Sequence, residues 1–183
     1  MSYGAPLASP TEFGVMKVGS GLTGTNGTVS ATLGLLNYGF FTDGTQTNPV
    51  ANAVNLVTLN TSGPANGISV VGGTAITVAN AGVYTKMFTL TVSKTSGGTS
   101  DVSIWLRYNG VDVPGSRQDL ELTNTLTLIF LSGNFTLNMA AGSNIQMCWS
   151  SADTTVSLTA LPAGVTPTRP TGSSAKITLT RIS

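Results

Sequence analysis

Between Ala81 and Gly115 apolar and polar residues alternate with a period of two, the spacing of a half-buried β-strand. In AGVYTKMFTLTV, Tyr84, Lys86, Phe88, Leu90 and Val92 share one face, and Val83, Thr85, Met87, Thr89 and Thr91 share the other. In the following run Val102, Ile104, Leu106 and Tyr108 point one way, while Ser103, Trp105, Arg107 and Asn109 point the other. Residues 93–100, with Gly97-Gly98 inside them, supply the break between the two strands. Asn109-Gly110 predicts a two-residue hairpin turn, because both residues tolerate positive φ.

Shorter runs of the same kind fill the rest of the chain. Residues 55–60 (NLVTLN) read as a first strand, followed by Ile68–Val71 and Ala75–Val78 on either side of Gly72-Gly73. Later runs lie at 126–131, 135–139, 145–149, 156–160 and 177–182, and a proline-bearing loop spans 161–174. Short strands at this spacing, with Gly and Asn between them and no helical periodicity, predict an all-β antiparallel sandwich or barrel. The first fifty residues have a different texture. Asn26-Gly27 predicts a hairpin tip between Leu22–Thr25 and Thr28–Ala31, a strip too small to bury a core alone. Residues 42–54 read as a linker. The expected organisation is therefore an extended arm and linker over 1–50, with a β-domain over 51–183.

AGVYTKMFTLTV and SIWLRYNGVDVPGS resemble the middle of a complement/tumour-necrosis-factor-like jelly roll, in the form carried by tailed-phage structural proteins. SGNFTLNMAAGSNIQMCWSSADTTVSL and the closing PTRPTGSSAKITLTRI are similar to the same family, and GVMKVGSGL with NGTVS resembles a short spacer module of phage fibre proteins. The resemblance implies an antiparallel jelly-roll sandwich with an N-terminal arm, and three such domains packed around a threefold axis.

A second line also leads to an oligomer. Trp105 opposes the Val102/Ile104/Leu106 face, and Ile129 and Leu131 oppose Leu126, Leu128 and Phe130. A strand with one wet face would not carry large apolar groups on both, so a second buried surface is expected. Trp105, Ile129 and Leu131 are the candidate oligomer interface; the bland alternative is scattered surface hydrophobes. Phe13, Val15, Met16, Val18 and Leu22 are the candidate docking residues of the arm.

Charged residues make up 8% of the 183, against an apolar share of 40%. The usual charged share is about a quarter, so solubility is weakly protected and much surface is expected to be covered by partners. The net charge of +1 comes with no basic cluster, which argues against a nucleic-acid partner. No apolar run approaches the ~20 residues that cross a bilayer, and MSYGAPLASP lacks the look of a signal peptide. One cysteine, Cys148, cannot form an intrachain disulfide and suits synthesis in a host cytoplasm.

Catalytic chemistry finds few footholds. The chain has no histidine, so imidazole bases and histidine-containing zinc sites are excluded. Gly19-Ser20-Gly21-Leu22-Thr23-Gly24 matches a dinucleotide fingerprint in letters, yet no helix is predicted after it, and a glycine-rich turn is the better reading. Asp119 and Glu121 stand two apart and could share a strand face; the bland reading is a solvated edge. Asp101, Asp112 and Asp153 sit beside turns, and Cys148 between Met147 and Trp149 reads as a small buried hydrophobe.

The expected protein has no catalytic residues, cofactor or metal. It is a non-enzymatic virion structural protein, a homotrimeric capsid decoration or cement protein whose arm docks on the major capsid protein or another virion component. It would stand on the virion surface, without nucleic-acid binding or membrane insertion. The alternative is the receptor-binding tip of a tail or head fibre, with a host-surface glycan as partner; a polysaccharide-depolymerising enzyme comes third.

Overall fold

The structure, a computed structural model, describes residues 36–123 and 128–183 and the backbone of two short strands before them. The chain divides into two compact units, Met1–Leu35 and Leu36–Ser183. In the first, Leu22–Thr25 (β1) and Thr28–Ala31 (β2) pair antiparallel with Thr25 opposite Thr28, the pairing that Asn26-Gly27 predicts. Asn26-Gly27 itself, Phe13, Val15, Met16, Val18 and the side chain of Leu22 lie outside the described residues. The last three residues of the glycine fingerprint run in β1 into a hairpin rather than a helix.

The second unit begins with β3 (Tyr38–Asp43), β4 (Gln46–Thr47), β5 (Asn55–Leu56), β6 (Thr61–Asn66), β7 (Ile68–Val71) and β8 (Ala75–Val78). The long strands β9 (Gly82–Lys94) and β10 (Ser100–Tyr108) follow, then β11 (Val111–Asp112), β12 (Gln118–Leu122), β13 (Ile129–Met139) and β14 (Asn144–Ser151). The chain ends with β15 (Val156–Leu158), the hairpin of β16 (Gly164–Val165) and β17 (Thr168–Arg169), and β18 (Ala175–Arg181).

These strands make two antiparallel sheets. In one, β9 lies between β13 and β18, β18 pairs with β3, and β3 pairs with β6; β15 continues beside β9 and carries β4. In the other, β10 lies between β14 and the pair β11 and β12, and β14 carries β8 and β5. The chain crosses from one sheet to the other between β9 and β10, between β13 and β14, and again before β15, so sequence neighbours face each other across the core. This is an antiparallel jelly-roll sandwich.

The alternation read from the sequence fills that core. Tyr84, Phe88, Leu90 and Val92 of β9, Ile177 and Leu179 of β18 and Phe41 of β3 meet Val102 and Ile104 of β10 and Ile145, Met147 and Trp149 of β14. Burying each large side chain contributes about 1.5–3 kcal/mol. Phe88 stacks on Phe135 at 6.1 Å between centroids and 7° between planes. Gly133 lies opposite Phe88, where an added Cβ would come within 2.9 Å of the ring, so glycine leaves room for the stack. At the far end of β10, Asn109 (φ 46°) and Gly110 (φ 82°) form the positive-φ turn expected of this dipeptide.

Three expectations are corrected. The sandwich begins at Leu36, not after Val50: β3 sits inside the sheet, paired with β18 on one side and β6 on the other. Residues 42–54 are stitched into the fold by side-chain amides instead of apolar groups. Asn48, buried, donates to the carbonyls of Ser151 and Asp153 at 3.0 Å each, and Gln46 makes a pair of bonds to the backbone of Thr58 at 2.8 and 3.1 Å. The runs expected at 126–131 and 135–139 are joined within one strand, β13, because Ser132-Gly133-Asn134 continues in register beside β9 instead of turning.

Candidate functional site

The outward face of the β9 sheet is built from the other half of the same alternation. Cross-strand register aligns Asn134, Met87, Thr178 and Phe40 in one row, and Thr136, Thr85, Thr180 and Tyr38 in the next. A third row holds Ser132, Thr89, Lys176 and Thr42. Strands spaced about 4.8 Å apart make each row roughly 15 Å wide. The face is threonine-rich, with Lys176 as the charge in these rows. Large apolar side chains stand out of it: Met87 is 60% exposed, Phe130 58%, and Phe40 and Tyr38 more than a third. A shallow groove of about 530 Å³ runs between Met87, Thr89, Ser132, Asn134, Lys176 and Thr178.

The three residues expected at an interface divide. Ile129 and Leu131 face inward and pack against the core, while Phe130 and Leu128 are exposed, so the faces of this strand are the reverse of the expectation. The physical reason lies in the register: Leu131 is opposite Leu90 and Ile129 opposite Val92, both fully buried, which fixes the parity of the whole strand. Trp105 does stand on the outer face of β10, as expected. It is half-buried among polar groups, however, and its indole Nε1–H donates to Asp112 Oδ1 at 2.9 Å. Arg107 Nε donates to the same oxygen at 2.8 Å.

Charged groups elsewhere are held by the fold. The ammonium of Lys94, fully buried, donates to the Gly98 carbonyl and to Ser100 Oγ at 2.9 Å, and lies 3.7 Å from Asp153 Oδ2. Ser100 Oγ in turn donates to Asp153 Oδ2 at 2.6 Å, and Thr155 donates to Oδ1 through its backbone N–H and its hydroxyl. These bonds, Ser100's first, hold the Asp153 carboxyl well below the usual carboxylate range. Together they clamp the β9–β10 loop to the turn before β15. Asp119 and Glu121 share the exposed face of β12, as foreseen, and Glu121 stands opposite Asp101 on β10. Asp119 accepts from Arg117 Nε at 2.8 Å and Ser103 Oγ at 2.6 Å, which lowers its pKa, so it is an ordinary surface ion pair. Cys148 is buried between Trp105 and Leu56 in cross-strand register, and burial pushes its thiol pKa up.

The exposed residues Phe130, Met87, Phe40 and Tyr38 were the features that sequence reasoning did not bring together. Read as one strand, IFLSGNFTLNM would have placed Phe130 with Ser132, Asn134, Thr136 and Asn138 on a polar face. No family model and no curated protein matches this chain. Among solved structures, an Eiger TNF from S. frugiperda is similar over 81% of this chain and 93% of its own length, at 12% identity and a TM-score of 0.47.

Proposed function

We propose that this chain is a non-enzymatic virion structural protein, a homotrimeric capsid decoration or cement protein. In this reading residues 1–35 dock on the shell and the jelly roll projects from it. One observation carries the assembly half of the reading: the outward face of the β9 sheet bears Phe130, Met87, Phe40 and Tyr38 on a nearly uncharged, threonine-rich surface. Faces of that composition are stable in water when another surface covers them. The division of the chain at Leu36 supports the docking half, because a two-stranded strip gains its order by lying on a partner.

Two measurements test it. Native mass spectrometry of the full chain should give three copies, unchanged by chelator. Particles lacking the protein should take it up in sedimentation, in saturable amounts that match sites on the shell. A persistent monomer at micromolar concentration, or uptake confined to tails, would overturn the reading. The second reading, a fibre tip that touches a host surface, is favoured by a different observation, the groove beside Trp105, which mixes apolar walls with Asp112, Arg117 and Ser103.

A further inference from the structure

The groove beside Trp105 lies on the outer face of the β10 sheet. It holds about 590 Å³ and is lined chiefly by Trp105, Asp112, Arg117, Ser103, Ser150 and Asn52, with Val54, Val113 and Pro114 as its apolar walls.

Its walls are fixed by backbone bonds. On one side, Val113 N–H donates to the Leu106 carbonyl at 2.9 Å. Ser116, buried, accepts from Leu106 N–H at 2.9 Å and donates to the Val113 carbonyl at 2.7 Å, so the turn is locked onto β10. On the other side, Asn52, at φ 61°, donates its N–H to the Ser151 carbonyl at 2.8 Å. The indole is held as well, because its N–H edge is spent on Asp112 Oδ1.

The polar groups around the ring are half used. Asp112 receives both of its bonds, from Trp105 and Arg107, on Oδ1, and its Oδ2 has no partner among the described residues. Arg117 is engaged through Nε alone, so its two terminal nitrogens are free among the described residues. An anchored aromatic ring in a groove that also holds unspent acceptors and unspent donors suits a ligand with an apolar face and a polar rim. A pyranose has that form: its axial C–H groups make one flat apolar face, and its hydroxyls both donate and accept around the edge. A purely apolar peptide would leave the Arg117 and Asp112 groups desolvated without partners, and a polyanion would meet Asp112.

We infer that the Trp105 groove is a saccharide-binding subsite, with the Trp105 indole as stacking platform and Asp112, Arg117 and Ser103 as hydrogen-bonding partners of one sugar ring. The inference is independent of where the protein sits on a particle.

The experiment uses the full chain and four neutral probes: chitotetraose, maltotetraose, a dextran oligomer and cellotetraose. Saturation-transfer NMR should show contact to ring C–H protons for at least one of them. Its affinity should fall at least ~10-fold in Trp105→Ala, stay within a few-fold in Trp105→Phe, and drop several-fold in Arg117→Ala. Val165→Ser, on the exposed hairpin of β16 and β17, should leave it unchanged. Thermal melts of each variant control for folding. Absence of binding by all four at about 10 millimolar, or equal binding in Trp105→Ala, overturns the inference. So does a change of stoichiometry in Trp105→Ala without loss of sugar binding, which would make the groove a protein contact.

Discussion

The Lys86 ammonium nitrogen lies 3.3 Å from the sulfur of Met147, inside the sandwich core. Its side chain is fully buried, the Phe88 ring centroid is 5.2 Å away, and the thioether is its hydrogen-bond acceptor among the described residues. Sulfur is a weak acceptor and an aromatic face a partial substitute for water. Burial therefore dominates and pushes the amine pKa from 10.5 down to about 7. A lysine here costs stability whenever it is charged.

That cost sets a pH dependence. Between about pH 7 and 10.5 the unfolded chain holds the Lys86 proton and the folded chain does not. The unfolded state binds more protons over that window, so stability rises with pH by about 1.4 kcal/mol per unit from this group, and is flat below it. Denaturant melts between pH 6 and 9.5 should show the rise. Lys86→Met should abolish it and raise stability at pH 7 by ~1–4 kcal/mol. A variant less stable than the parent at pH 7 would contradict the burial argument.

Phe88 and its neighbour Thr89 test the register of β9. Phe88→Ala removes the stack on Phe135 and opens a cavity between the sheets, and should cost ~3–5 kcal/mol. Thr89→Ala, on the outward face, should change the melting of the isolated chain by less than ~0.5 kcal/mol. Equal losses in the two melts would mean that the strand is rotated.

The Lys94–Asp153 clamp responds to acid. Asp153 is held below its ordinary pKa in the folded chain, so its contribution is present above about pH 4 and is lost as pH falls below it. Asp153→Ala leaves the buried Lys94 ammonium without its carboxylate and should cost ~3–5 kcal/mol at pH 7. The variant should also lose less stability than the parent on going from pH 5 to pH 3. An Asp153→Ala protein as stable as the parent would remove the clamp from the account.

Much of this architecture is legible where side chains alternate strongly. Tyr84 to Val92 and Val102 to Tyr108 declare their faces, and Asn109-Gly110 declares its turn, because local chemistry and tertiary position agree there. β3 and β6 are not legible for opposite reasons. Tyr38-Gly39-Phe40-Phe41 is apolar on both faces, so it offers no period, and its pairing with β6 carries an irregularity between Gly39 and Phe41. β6 (TSGPAN) contains Gly63 and Pro64 and is exposed throughout, which a sheet tolerates at an edge. Asn48 and Gln46 resemble linker residues until the carbonyls they bind are in view. The faces of β13 were misassigned because Ser132-Gly133-Asn134 has turn chemistry, which pairing with β9 overrides. Of the candidate interface, Trp105 was readable as an outward aromatic; its partners Asp112 and Arg107 come together through the Asn109-Gly110 hairpin.

Assembly through the β9 sheet predicts a separation of folding from oligomerisation. Met87→Lys and Phe130→Lys place charge on exposed positions of one face, where surface substitutions cost little, within about 0.5 kcal/mol. Each variant should keep a cooperative melt and shift native mass spectra from three copies towards one. Trimers that survive the double variant would move the contact to another face.

The last prediction uses the boundary at Leu36. Deleting residues 1–35 leaves every strand of the second unit in place, so the remaining protein should be soluble, melt cooperatively and retain its stoichiometry. Deleting residues 1–50 also removes β3 and β4. It strips β18 of the partner that pairs with it from Ala175 to Thr180 and removes the fully buried Phe41. It also removes Asn48, whose amide ties the carbonyls of Ser151 and Asp153. Loss of the Phe41 side chain alone is a cost of ~3–5 kcal/mol, comparable with the whole stability of a marginal domain. The longer deletion should therefore be insoluble or unfolded by circular dichroism while the shorter one is native. If residues 1–35 are the docking strip that the proposed function makes them, the shorter form mixed with particles that lack the protein should stay in the supernatant where the full chain sediments. If it sediments as the full chain does, the sandwich itself is the anchor and residues 1–35 have another role.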